Sequence, residues 1–362
     1  MRAQATAMAT PTDLSALRWG ILSTGRIAGI FARGLAASTA GRLVAVGSRS
    51  AEKAARFAAE HGLAPAAAHG SYEALLADPA VEAVYIATPH PEHAVWVERA
   101  AAAGKHILCE KPAGMNLAEG RRMVVAARRA GVLFMEAFMY RCHPQTARIA
   151  GLVRAGAIGV PRLVQANYGF RTEFNPASRL WNRGLGGGGI LDVGCYPMSF
   201  ARLIAGAAAG GADAFAEPVG LVGQGYLHPE TGVDEFATAG LSFAGGLVAQ
   251  IATGVGLGLE NHARVYGTEG WLEVPHPWII TRGGGALVFR LHRRGVAEPE
   301  TITTEAGNVY GLEADAVAAA LRGGGRAVAA MTPDDTLGNL AALDRWRAAL
   351  GLVYPADAIA AG

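Results

Sequence analysis

Two rhythms of apolar and polar positions divide this chain. In the first part, short apolar runs alternate with stretches at helical spacing. Leu17 to Leu22 reads as a strand, followed by a turn through Ser23-Thr24-Gly25 and a helix with Ile27, Ile30, Phe31 and Leu35 on one face. Leu43 to Gly47 is a second buried strand and Ala51 to Glu60 a helix stopped by Gly62. A short segment near Ala66, a helix from Tyr72 to Leu76, and strand Val81 to Ala87 continue the pattern. Helix His93 to Ala103, strand His106 to Cys109, helix Leu117 to Arg129 and strand Val132 to Met135 complete it. Strands alternating with helices at this spacing predict right-handed crossovers and a doubly wound parallel sheet, with a domain over residues 17–138.

After Glu136 the texture changes. Pro144 to Ala155 reads as a helix, Leu163 to Phe170 as a strand, and Ile190 to Ile204 as one helix after the glycine run Gly186 to Gly189. Strand-like runs then follow one another: Val219 to Tyr226, Phe236 to Phe243, Leu247 to Thr253, Ala263 to Tyr266, Trp271 to Val274 and Ala286 to Leu291. Successive strands joined by Gly-rich turns predict an α+β domain over residues 139–355, built on an open, mostly antiparallel sheet. Helices Tyr310 to Leu321 and Pro333 to Leu350 close it, and the Ala/Gly-rich residues 205–217 read as a loop.

Length supports this division, because 362 residues exceed one ordinary core. With 51% hydrophobic and 17% charged residues the chain is expected to be globular. The net charge is +2, which offers no electrostatic footprint for nucleic acid. Cys109, Cys142 and Cys195 show no paired spacing, arguing against disulfides or a cysteine-rich metal site and fitting a reducing cytoplasm. Residues 1–16 read as a disordered leader without the apolar core of a signal peptide, and no run is long and apolar enough to predict a membrane span.

The first strand–helix junction carries the candidate chemistry. Ser23-Thr24-Gly25-Arg26-Ile27-Ala28 stands where a G-x-G-x-x-G/A turn would bring bare N–H groups to a pyrophosphate, with Ser23 in place of the first glycine. A plain structural turn would read similarly. At the end of the second strand, where an NAD site usually places an acid, the chain has Ser48-Arg49-Ser50. A guanidinium flanked by hydroxyls suits a 2′-phosphate, so NADP is expected over NAD; the other reading of Arg49 is a solvated surface charge.

Further motifs follow: Thr88-Pro89-His90 with His93 after the third long strand, Glu110-Lys111-Pro112 after the next, and Gly187 to Tyr196 in the second part. In order and spacing these make the chain resemble the Gfo/Idh/MocA oxidoreductases, over nearly all of residues 17–355. Phe138-Met139-Tyr140-Arg141 and Gly187-Gly188-Gly189-Ile190-Leu191-Asp192 look most like the branch of dihydrodiol dehydrogenase, NADP-dependent xylose dehydrogenase and glucose–fructose oxidoreductase. The resemblance implies a two-domain NAD(P)-dependent enzyme acting on sugars, polyols and related alcohols. It implies that Lys111 faces the reacting oxygen and the nicotinamide, and that Asp192-x-x-x-Tyr196 supplies acid/base chemistry where inositol dehydrogenase relatives carry histidine.

On a helix, Asp192 and Tyr196 would share one face. A phenol is a poor base at neutral pH unless a cation stabilises its ionised form, so Lys111 is expected to tune Tyr196 while Asp192 holds a neighbouring substrate hydroxyl. Taken singly, Tyr196 equally reads as a core aromatic and Asp192 as a cap. Arg141 and His143 are candidates to border the substrate, and Trp181 and Arg183 to close over the nicotinamide; structural roles remain open for all four. The turn Pro275-His276-Pro277-Trp278 reads as a sheet edge or subunit contact. His90 and His93 lack the matched partners of a metal site, and no metal is expected. The expected partners are a sugar or cyclic diol and, across the open sheet, further copies of the chain as a dimer or tetramer. The rival reading is a catalytically silent NADP-binding sensor or scaffold, which would have no need for Lys111, Asp192 and Tyr196 together.

Overall fold

The computed structural model describes residues 16–210, 215–278 and 283–359. The stretch read as a leader lies outside these residues except for its last position. Six parallel strands form the first sheet: β1 (Leu17–Leu22), β2 (Gly41–Gly47), β3 (Ala68–His69), β4 (Ala83–Ile86), β5 (His106–Glu110) and β6 (Phe134–Ala137). Their order is β3-β2-β1-β4-β5-β6. The order reverses between β1 and β4, and in such sheets ligands bind beyond the carboxyl ends of the strands at that point. The connecting helices are α1 (Arg26–Leu35), α2 (Ala51–Glu60), α3 (Tyr72–Ala77), α4 (His93–Ala102) and α5 (Leu117–Ala130). Every residue of β4 is buried, as expected for a strand covered on both faces.

The second sheet has eight strands: β7 (Pro161–Gly169), β8 (Gly220–Leu227), β9 (Asp234–Ser242), β10 (Val248–Gly254), β11 (Ala263–Gly267), β12 (Gly270–Val274), β13 (Gly285–Arg293) and β14 (Glu300–Ala306). They lie in the order β14-β13-β12-β11-β7-β10-β9-β8. All neighbours are antiparallel except β7 and β10. Burial alternates along the strands: Leu287, Phe289 and Leu291 face the core, while Val288, like Val222 and Val248, is exposed. Helices α6 (Pro144–Arg154) and α7 (Cys195–Ala209) belong to the covered side, and α8 (Val309–Arg322), α9 (Pro333–Ala349) and the short α10 (Pro355–Ile359) close the chain.

Three expectations need correction. The helix expected over Ile190–Ile204 is a π-helical turn, Ile190–Gly194, running into α7, so Asp192 and Tyr196 are not related by simple α-helical geometry. The supposed loop at 205–217 begins with the end of α7, which continues to Ala209; alanine is the best helix former, and Ala205 and Ala207 are buried. Strand β14 was not anticipated: only Ile302 of its residues is buried, so it lacks the alternation that marks a strand.

Candidate active site

The turn after β1 meets the N-terminus of α1. Ser23 occupies the first fingerprint position with φ 104, the left-handed region that glycine favours. Its Oγ accepts the Gly25 N–H at 3.2 Å, while Gly25 caps α1 without a side-chain bond, leaving the helix N–H groups bare. A cavity of about 520 Å³ opens here, lined by Ser23, Thr24, Gly25, Ser48 and Arg49 among others. Lys53 and Arg56 line it too, adding two cations from α2 that the sequence reading passed over. The Arg49 side chain is 70% exposed, pairs with Glu92 at 3.3 Å and also hydrogen-bonds Tyr72, a further residue of the cavity lining. Arg26 and Ile27 begin α1 just after this turn but do not line that cavity; Arg26 lines a separate one with Ile30, Arg33 and Asn308.

Beyond β4 and β5 the loops carry Thr88, His90 and Lys111. The two rings of His90 and His93 pack edge-on with centroids 5.7 Å apart. The His93 nitrogens face the carbonyls of Thr88 (2.8 Å) and Pro112 (3.0 Å), tying the ends of the two strands together. Pro89 opens the turn that leads from Thr88 to His90. Thr88 Oγ1 and His90 Nδ1 are buried without partners. Burial, with His93, Arg179 and Lys111 nearby, pushes His90 well below the usual histidine value, so its ring is neutral. Glu110 points back under the loop, accepting from the Tyr85 hydroxyl and, at 3.1 Å, from the Lys111 N–H.

The Lys111 ammonium donates to the Asp192 carbonyl oxygen at 2.6 Å and lies 5.2 Å above the centre of the Tyr196 ring. The three residues singled out by their motifs are therefore neighbours. Burial opposes the Lys111 charge, but Asp192, with Cys195 and Glu110, raises its pKa above the ordinary lysine value. The buried Asp192 carboxyl would be raised by desolvation, yet Lys111 and Arg179 hold it below the usual carboxylate range. Arg179, half-exposed on the loop before the glycine run, donates to Asp192 Oδ1 at 2.9 Å. No motif marks Arg179, and the sequence reading missed it.

Tyr196 differs from expectation. Burial, with Tyr168 and Glu110 nearby, pushes its hydroxyl well above the usual tyrosine value. Lys111 lies over the ring face, so the cation does not lower it as anticipated. The ring packs against Phe138, Tyr140, Tyr168 and Trp278 with centroids 5.2–6.1 Å apart. Trp278 is fully buried, and the turn it ends follows β12, an interior strand of the sheet and not an edge. Arg141 is bonded away from Lys111: its guanidinium binds Asp335 at 2.7 Å and Ser199 at 3.1 Å. His143 caps α6, its Nδ1 accepting the Gln145 N–H at 3.1 Å. Trp181 is buried against Phe174 and His228, and Arg183 donates to the Val353 carbonyl at 2.7 Å.

Glycines let the chain enter the π turn. Gly188 takes φ 107, and a side chain there would run into the Asp234 carboxylate. Asp234 in turn accepts the Ile190 N–H at 2.6 Å, and Thr253 donates to the Gly189 carbonyl at 3.0 Å.

Two family models match the chain. The oxidoreductase family with an NAD-binding Rossmann fold matches residues 17–138, and the GFO/IDH/MocA C-terminal domain matches residues 146–273. The chain belongs to the Gfo/Idh/MocA oxidoreductases. It is 35% identical to trans-1,2-dihydrobenzene-1,2-diol dehydrogenase of Mus musculus over 349 residues, 94% of this chain and 99% of the relative. An aldose–aldose oxidoreductase from Caulobacter crescentus superposes with a TM-score of 0.81 at 28% identity, covering 92% of this chain and 97% of that one. A 3-ketoreductase from Actinomadura kijaniata, solved with NADP and TDP-benzene, gives 0.80 at 28% identity, covering 92% and 98%. This Gfo/Idh/MocA chain is thus an NAD(P)-binding dehydrogenase/reductase that acts on CH–OH groups of small molecules. Among the described residues no helix is long and apolar enough to cross a membrane.

Proposed function

We propose that this enzyme is an NADP-dependent oxidoreductase of sugars or related cyclic diols, interconverting a carbon-bound hydroxyl and a carbonyl at the Lys111–Asp192–Tyr196 cluster. The observation that carries this reading is the Lys111 ammonium, fixed 2.6 Å from the Asp192 carbonyl and over the Tyr196 ring. The residues present fit the nucleotide: bare N–H groups at α1 suit the pyrophosphate, and the orphaned Thr88 Oγ1 and His90 Nδ1 offer polar atoms beside Lys111. Arg49, with Lys53 and Arg56 in the same cavity and no acid at the end of β2, favours the 2′-phosphate of NADP. When bound, the nicotinamide supplies or accepts the hydride.

Tyr196 keeps its proton because burial disfavours the phenolate, so in carbonyl reduction its hydroxyl donates to the oxygen that becomes the alcohol. Lys111 stabilises the negative charge developing on that oxygen from a fixed position. Asp192 accepts a neighbouring substrate hydroxyl, and Arg179 keeps it ionised. In alcohol oxidation the substrate hydroxyl proton passes to a Tyr196 that must first have lost its own, and burial disfavours that ionised form. The apolar residues Val222, Val248 and Val288 on the open sheet favour association of copies through that face. A panel of aldoses and trans-1,2-dihydrobenzene-1,2-diol, assayed with NADP and with NAD, tests the reading. Turnover with NADP is expected, and Arg49→Ala is expected to raise KM for NADP about tenfold or more while leaving NAD within twofold. No turnover with any member of the panel, or equal losses for both nucleotides, contradicts it.

A further inference from the structure

The segment after α9 crosses the site and joins its two sides. Asn116, five residues beyond Lys111, caps α5 and donates to the Ala356 carbonyl at 3.3 Å and to Asp357 Oδ1 at 3.0 Å. Asp357 also accepts from Arg347 at 2.8 Å and from the Tyr354 N–H at 2.8 Å, closing a short turn. On the other side, Arg183 donates to the Val353 carbonyl at 2.7 Å, and the Tyr354 hydroxyl donates to the Gly187 carbonyl. Tyr354 is 1% exposed, so this bond is made away from water.

Gly187 is the entry to the π turn. Its N–H returns to Asn182 at 3.0 Å, and a side chain there would lie 2.7 Å from the Arg179 and Leu180 carbonyls, so its placement fixes that of the loop carrying Arg179. Five residues on, the Asp192 carbonyl holds Lys111. We propose that Tyr354 is a positioning residue for the reaction: through Gly187 it sets the π turn at the height where the Asp192 carbonyl receives the Lys111 ammonium. The proposal rests on the assignment of Lys111 and Asp192 as the reacting site. Loss of the hydroxyl leaves a buried carbonyl without its donor, and the segment shifts to find another. A displacement of about 1 Å at reacting groups lowers rates by up to roughly 10²-fold.

The test is Tyr354→Phe in the full chain, which keeps the ring and removes only the hydroxyl. Steady-state kinetics with NADP and the panel substrates, NADPH binding by fluorescence, and thermal unfolding are measured together. We expect kcat to fall about tenfold, with KM for NADP and the NADPH Kd within twofold of the parent. Arg183→Met, which releases the same segment at Val353, is expected to lower kcat in the same direction by a smaller factor. A lowered Tm with kcat unchanged in both variants overturns the proposal, since that is the signature of a role in stability alone. Lys111→Met, run in parallel, separates the two ideas: parental kcat in that variant removes the site assignment, whereas its loss beside a fully active Tyr354→Phe removes only the role of Tyr354.

Discussion

Glu136, at the carboxyl end of β6, is fully buried, with Oε1 accepting the Ala113 N–H at 2.8 Å and Oε2 without a partner. Burial pushes its carboxyl from 4.5 up to about 8, against the opposing Ala113 hydrogen bond and nearby Thr336. The folded protein therefore binds this proton more tightly than the unfolded chain. The stability it contributes is complete below the ordinary glutamate value and is lost as pH rises through about 8. Each pKa unit corresponds to about 1.4 kcal/mol, so the loss between pH 6 and pH 9 comes to about 2.5 kcal/mol. Glu136→Gln preserves the shape and the acceptor for Ala113, and cannot ionise. Thermal unfolding at the two pH values is the assay. The variant's advantage over the parent should grow by about 2.5 kcal/mol from pH 6 to pH 9, roughly 3 °C in Tm for a chain of this length. An advantage equal at both values would refute the assignment of a neutral buried carboxyl. Asp234, pushed up to about 7 chiefly by burial, titrates in parent and variant alike and cancels in the comparison.

Two further substitutions probe the supports of the site. Asp335 binds Arg141 at 2.7 Å and Arg202 at 2.6 Å with all three side chains at most 2% exposed; Asp335→Ala leaves Arg141 buried without a carboxylate while Arg202 keeps Glu217 at 2.6 Å, and should cost about 3 kcal/mol in urea unfolding. A loss under about 1 kcal/mol would mean the network is solvated. Gly188→Ala forces a side chain into φ 107 and against Asp234; we expect a loss of about 2 kcal/mol together with reduced turnover, and parental stability would contradict the crowding.

The parallel sheet and the strand ends that carry Ser23, Arg49, Thr88 and Lys111 were legible because each apolar run is followed by its own turn chemistry within a few residues. That Lys111, Asp192 and Tyr196 share one site was an implication of the family resemblance; the contact itself runs through the Asp192 backbone carbonyl, which no motif indicated. What stayed hidden depends on non-local packing. Asp234, Trp278 and Tyr354 come from separate parts of the chain and carry no local signature, yet they brace or wall the π turn and Tyr196. The π turn itself lies inside an apolar run that suits an ordinary helix equally well. Arg141 and His143 neighbour a family motif in sequence, but buried groups take the partners nearest in space: Asp335 for one and the start of α6 for the other. The pKa of Tyr196 illustrates the same limit, since desolvation depends on how many groups surround the ring, and the sequence does not state that number.

The most direct test of the Lys111 assignment is single-turnover hydride transfer, followed by NADPH absorbance in Lys111→Met and in the parent with saturating cofactor and the same sugar or diol. The expected result is a transfer rate lowered about 10²-fold or more with NADPH still bound. A rate within twofold of the parent would contradict the placement of the reacting oxygen at this ammonium.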